Sequence, residues 1–183
     1  HPAAFRDYQE NHAWVWEHQA LIRARPIAGD PGLCQAFEDI RAAMLRRPRD
    51  VATLRADVAA MRARMREAQE PHEPGQFNLK HDSGGMIDVE FMVQYALLRW
   101  AHDHPELIRL RGNIPLLEAL ESRGLLDAAP AGLLRTAYRE YLAAEQRLKL
   151  MERKPLVERA VFGDTPDRVA ALWRTMIEQH PSA

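Results

Sequence analysis

Apolar residues recur every three or four positions along most of this chain, and the recurrence breaks at proline and glycine. Between about Ala3 and Arg25, Phe5, Trp14, Trp16, Leu21 and Ile22 lie among helix formers with no intervening Gly or Pro, which predicts one long helix. Pro26 cannot donate to a preceding turn, so that helix kinks or ends there, and Gly29-Asp30-Pro31-Gly32 makes a turn. A second helix is expected from about Leu33 to Arg46, stopping near Pro48. The third is drawn most sharply, because Val51, Leu54, Val58, Met61 and Met65 form one apolar stripe at helical spacing.

Residues 70–75 (Glu-Pro-His-Glu-Pro-Gly) read as a linker, and Phe77 and Leu79 alternate with polar neighbours as a short extended piece. From Met86 to Ala101 the chain is largely apolar without a turn signal. Sixteen residues exceed an ordinary strand, so the segment is a helix, and its apolar character on nearly every face puts it at the centre of a bundle. Asn113 is suited to cap a short helix that ends near Gly124. Further helices are expected at about Ala131–Glu152 and after Asp164-Thr165-Pro166, the latter carrying Val169, Leu172, Trp173 and Met176. With no alternation long enough for a sheet, the expected fold is all-α, a bundle of about six to seven helices.

Composition agrees: the chain is 46% hydrophobic and 28% charged, with only 9 glycines in 183 residues. A formal net charge of -1 provides no global basic field for a nucleic-acid backbone. One stretch is locally basic, with Arg41, Arg46, Arg47, Arg49, Arg55, Arg62, Arg64 and Arg66 opposed mainly by Asp50 and Asp57. It reads as a solvated helix face or as a docking surface for an acidic partner. The single cysteine, Cys34, excludes an internal disulfide and suits a reducing cytoplasm. No run approaches the ~18 apolar residues of a membrane span. An opening His-Pro-Ala-Ala-Phe, neither signal peptide nor natural start, is expected of a piece of something longer.

Candidate chemistry concentrates in Phe77–Phe91. Gly84-Gly85 before a helix exposes backbone N–H groups at its positive end, a geometry suited to an anion, with Lys80 near enough in sequence to add charge; the other reading is a tight packing turn. Asp88-Val89-Glu90 has the spelling of a metal-binding acidic pair. On a helix, however, residues i and i+2 lie about 200° apart, so the two carboxylates cannot grip one magnesium. A structural role follows instead, with cationic partners from elsewhere in the bundle. His102-Asp103-His104 reads as a solvated helix end before Pro105, and Trp14, Trp16, Trp100 and Trp173 as core. The chain contains no Ser-His-Asp order, Cys-His pair or Walker loop.

Lys80-x3-Gly84-Gly85-x2-Asp88-x-Glu90-Phe91, followed by Gln94-Tyr95 and the Leu-rich run to His102, resembles the signature of the helical domain in bacterial glutamine synthetase adenylyltransferases, and more distantly that of PII uridylyltransferases. Ala13–Arg25 with Gly29-Asp30, then Arg49 and Leu54–Arg66, then Asn113, Leu116, Leu117 and Leu120, are similar to the same enzymes in the same order. Pro26 departs from the pattern, and beyond Glu152 the likeness is loose. The resemblance favours the adenylylating half over the deadenylylating one.

The resemblance implies a single helical domain over 1–183: long helices in 1–70 that follow an absent nucleotidyltransferase core, and a bundle in 76–183. It implies a parent enzyme that transfers AMP from ATP to a tyrosine of glutamine synthetase, uses magnesium, and responds to glutamine and the PII protein. It also implies that Lys80, Gly84, Gly85, Asp88 and Glu90 form a loop at the active-site cleft, with Arg23 and Arg25 as basic residues facing it. Neither catalytic nor metal-binding residues, nor any cofactor, are expected within this stretch, and no nucleic-acid or membrane partner.

Overall fold

The computed structural model describes residues 1–179 and is a helical bundle, with eight α-helices among the described residues. They are α1 (Pro2–Asn11), α2 (Val15–Leu21), α3 (Pro31–Leu45), α4 (Val51–Glu67), α5 (Met86–Trp100), α6 (Asn113–Ser122), α7 (Ala128–Leu150) and α8 (Thr165–Trp173). A 3-10 segment, Pro105–Arg109, leads into α6, and one π-helical turn, Arg174–Glu178, extends α8. No described helix is long and apolar enough to cross a membrane.

The long first helix expected from the sequence is two helices. Trp14 is extended (φ -78°, ψ 159°) and separates α1 from α2. The break is tolerated because carbonyls freed at the end of α1 find new donors: Gln9 O pairs with His18 Nε2 at 3.0 Å and Glu10 O accepts from Arg47 at 3.1 Å. Helix α2 also ends before Pro26 acts on it. Buried Arg41 of α3 donates to the carbonyls of Leu21 (2.7 Å) and Ile22 (2.8 Å), and to Ile108 O at 3.0 Å. Trp14 and Trp16, expected in the core, are 62% and 42% exposed, whereas Trp173 is buried.

Helix α5 is central as its composition requires, packing on α2, α4, α6, α7 and α8. Eight consecutive residues from Phe91 to Leu98 are buried, Gln94 among them. Each large apolar side chain so buried contributes roughly 1.5–3 kcal/mol. At its end, α6 has Gly112 rather than Asn113 in the capping position; Asn113 lies inside the first turn, buried.

The short extended piece at Phe77 is present, and its pairing with a second strand was not expected. β1 (Gln76–Asn78) pairs antiparallel with β2 (Leu156–Glu158), Phe77 opposite Val157. Backbone bonds from Leu79 N to Pro155 O and from Arg159 N to Gly75 O, both 2.9 Å, extend the clasp. Phe77 is fully buried against Tyr141 and Phe162, with centroids 5.8 and 6.2 Å away.

Candidate functional site

The segment between β1 and α5 folds on itself before it meets anything else. Asn78 Oδ1 accepts from the N–H groups of Lys80 and His81, both at 3.1 Å, and Asp82 Oδ2 accepts from Asn78 N at 2.8 Å. Met86 N closes the loop on Leu79 O at 2.8 Å. The two glycines are required here by crowding. Gly84, at φ +81°, lies so close to the Pro166 carbonyl of α8 that a Cβ would collide with it. A Cβ on Gly85 would lie 2.9 Å from Leu79 O and 3.0 Å from Asp82 O.

The N-terminus of α5 receives its anion from within the chain. Asp88, fully buried, accepts from Gly84 N at 2.7 Å, from Arg62 Nε at 2.6 Å, and from Arg66 at 2.8 and 2.9 Å. Burial pulls the Arg62 guanidinium below the ordinary arginine value, and the neighbouring Asp88 charge opposes that. Arg62 also donates to His81 O at 2.8 Å, tying the loop to α4, and Arg66 lies over the Trp173 ring at 5.5 Å. Of the two readings of Gly84-Gly85, the geometry here is that of a packing turn.

Lys80 points to α7. Its Nζ is 3.0 Å from Glu145, which also pairs with Lys149 at 2.9 Å. Those two hydrogen bonds, first Lys149 and then Lys80, hold the nearly buried Glu145 carboxyl below its usual range. Lys80 therefore adds no charge at the α5 terminus, although a third of its side chain stays exposed.

Glu90 leaves α5 on the other side. Its Oε1 accepts from Tyr138 OH at 3.0 Å, from Arg23 at 3.4 Å and from Asn113 Nδ2 at 3.5 Å, joining the end of α2 to α6 and α7. Burial, then the Glu90 charge, pushes the Tyr138 hydroxyl up. Asp88 and Glu90 thus serve different neighbours, and both oxygens of Asp88 are occupied by guanidinium and backbone donors. A magnesium ion does not fit between them.

Arg23 and Arg25, expected beside the loop, are both exposed. Arg23, Glu90, Trp16, Met61, Met65 and Phe91 line a groove of about 360 Å³ between α2, α4 and α5. Arg25 lines a separate shallow pocket with Pro26, Leu33 and Phe37. The structure thus brings Arg23 to Glu90, while Lys80 and Arg25 stand apart from that pair.

The arginine stretch is not a uniformly solvated face. Arg41 and Arg62 are buried, and Arg49 donates to His18 Nδ1 and Met44 O, both at 3.1 Å; burial pulls its guanidinium down to about 10. A sequence signal existed for two of these. Arg62 stands on the α4 stripe, four residues after Val58 and three before Met65. Arg41 stands four after Phe37 and four before Leu45. A lone arginine on an apolar stripe marks a buried partner.

Residues 33–161 match the family model described as GlnD PII-uridylyltransferase, and residues 2–40 match that described as Glutamate-ammonia ligase adenylyltransferase. The bifunctional glutamine synthetase adenylyltransferase/adenylyl-removing enzyme of Pseudomonas aeruginosa is 43% identical over 185 residues, covering 94% of this chain and 19% of the relative. Its counterpart in Thioalkalivibrio sulfidiphilus is 44% identical over 176 residues (96% and 18%), and that of Burkholderia mallei 46% identical over 178 (93% and 19%). The chain spans about a fifth of the length of these curated relatives.

Proposed function

Because this chain belongs to the glutamine synthetase adenylyltransferase family, we propose that it is the helical accessory and regulatory part of an enzyme that transfers AMP from ATP to a tyrosine of glutamine synthetase. The reaction runs in the cytoplasm with magnesium, and the chemistry resides in a separate nucleotidyltransferase domain. The observation that carries an accessory role is the fate of the two signature carboxylates. Asp88 is bonded to Arg62, Arg66 and Gly84, and Glu90 to Tyr138 and Arg23, so both are committed to holding the bundle together.

Arg23, Glu90 and Trp16 on the α2–α5 face form one wall of the transferase cleft, and the buried Gly84-Gly85 turn fixes the angle at which α5 presents that wall. The test is incorporation of labelled AMP from ATP into glutamine synthetase with magnesium, by this chain alone and by the chain joined to a nucleotidyltransferase domain. Transfer only by the joined protein is the expected result; transfer by the chain alone overturns the accessory reading.

A second reading, an interaction module that binds the PII protein or glutamine synthetase, draws on the exposure of Trp14 (62%), Trp16 (42%) and Ile27 (92%) in the N-terminal third. Arg23→Ala separates the two. Reduced transfer with partner binding intact supports the cleft wall; lost binding with transfer intact supports docking.

A further inference from the structure

Gln19 forms part of the groove between α2, α4 and α5, is only 3% exposed, and has no hydrogen-bond partner at either Oε1 or Nε2. A carboxamide buried in that condition costs stability that an apolar side chain at the same place would not. Met61 and Met65, which line the same groove, supply just such side chains. What the amide offers is one acceptor beside one donor, the complement of the C=O and N–H edge that an extended polypeptide presents.

The rest of the groove supplies what a peptide needs around that contact. Met61, Met65 and Phe91 give an apolar slot whose methionines adapt to the side chain that enters. Arg23 is 54% exposed and reaches Glu90 at 3.4 Å, while Glu90 has Tyr138 closer at 3.0 Å. Its guanidinium therefore keeps donors for a carboxylate arriving from outside. Trp16 stands at the rim with an indole suited to cover a bound strand.

We propose that this groove binds an extended peptide segment. The N–H and C=O of one extended residue pair with the Gln19 carboxamide, an apolar side chain enters between Met61, Met65 and Phe91, and a neighbouring Asp or Glu meets Arg23, with Trp16 and Arg23 swinging aside to admit the chain. The proposal rests on the α2–α5 face being turned to a partner, and it names the chemistry that partner presents.

The experiment is selection of a random dodecapeptide library on the immobilised chain, followed by binding and melting measurements on wild type, Gln19→Met and Arg23→Glu. Enriched peptides are expected to carry an apolar residue next to, or one removed from, an acidic one. They should bind Gln19→Met about tenfold more weakly or worse, and Arg23→Glu should lose the preference for the acid. Gln19→Met should melt at or above wild type, since an unpaired amide has been removed. Peptides that bind wild type and Gln19→Met alike overturn the proposal, and so does a Gln19→Met chain that melts lower, because the amide then has an internal partner. If no peptide depends on Gln19 while AMP transfer by the joined protein still falls on Arg23 substitution, the peptide proposal is overturned and the cleft-wall reading stands.

Discussion

Asp88 accepts four hydrogen bonds with two oxygens, at a point where neither it nor Arg62 touches water. Removing one member leaves the other charged and buried, which costs about 3–5 kcal/mol, whereas replacing both by apolar side chains costs much less. Asp88→Ala should therefore lower the unfolding free energy measured by urea titration by that order, and Asp88→Leu with Arg62→Met should recover part of the loss. Two histidines carry opposite pH dependences. His18 is buried, with Nε2 on Gln9 O and Nδ1 accepting from Arg49, so it is held neutral; burial lowers its pKa below 6.5. Its contribution is present above pH 6.5 and is lost as pH falls below that value. His72 bonds Asp82 at 2.8 Å, and that bond raises its pKa; its contribution is present below 6.5 and lost as pH rises through the higher folded value. His72→Gln should thus lower the melting temperature more at pH 5.5 than at pH 8, and the imidazole NMR shifts should titrate below 6.5 for His18 and above it for His72.

Among the elements, α5 was the most legible in sequence, because sixteen largely apolar residues admit no other position than the centre. Its turn was legible only in part. The glycine pair announced a tight approach, but the object approached, the Pro166 carbonyl at the start of α8, is some eighty residues away in sequence and no local pattern encodes it. Gly84→Ala should cost about 3 kcal/mol, from the left-handed backbone and the collision together, and differential scanning calorimetry on the variant checks it. The break between α1 and α2 was hidden for a related reason. Nothing in residues 12–14 forbids a helix; side chains outside that segment, His18 of α2 and the distant Arg47, take up the carbonyls that stopping frees. The partners of Glu90 were equally invisible, since Arg23 comes from the turn after α2, Asn113 from α6 and Tyr138 from α7. Strands of three residues are too short for alternation to specify a sheet, so β1 is legible only as a short extended piece at Phe77 and Leu79, and neither β2 nor the pairing is.

For the whole molecule, one apolar cluster runs from Leu21 and Ile22 at the end of α2 through α5 to Trp173 and Ile177 at the far end of the described chain. The helices that build it mostly meet near neighbours: α6 with α7, α4 with α5, α7 with α8. The clasp of β1 and β2 is different. It joins Phe77 to Val157 across all of α5, α6 and α7, so pairing it before those helices have formed means closing a long disordered loop for a handful of hydrogen bonds. Local helices are much faster to assemble, and the clasp is left for the downhill side of the folding barrier. Weakening it should accordingly leave the rate of folding almost unchanged while hastening unfolding, which makes three residue pairs at the edge of the bundle a governor of how long the native state lasts.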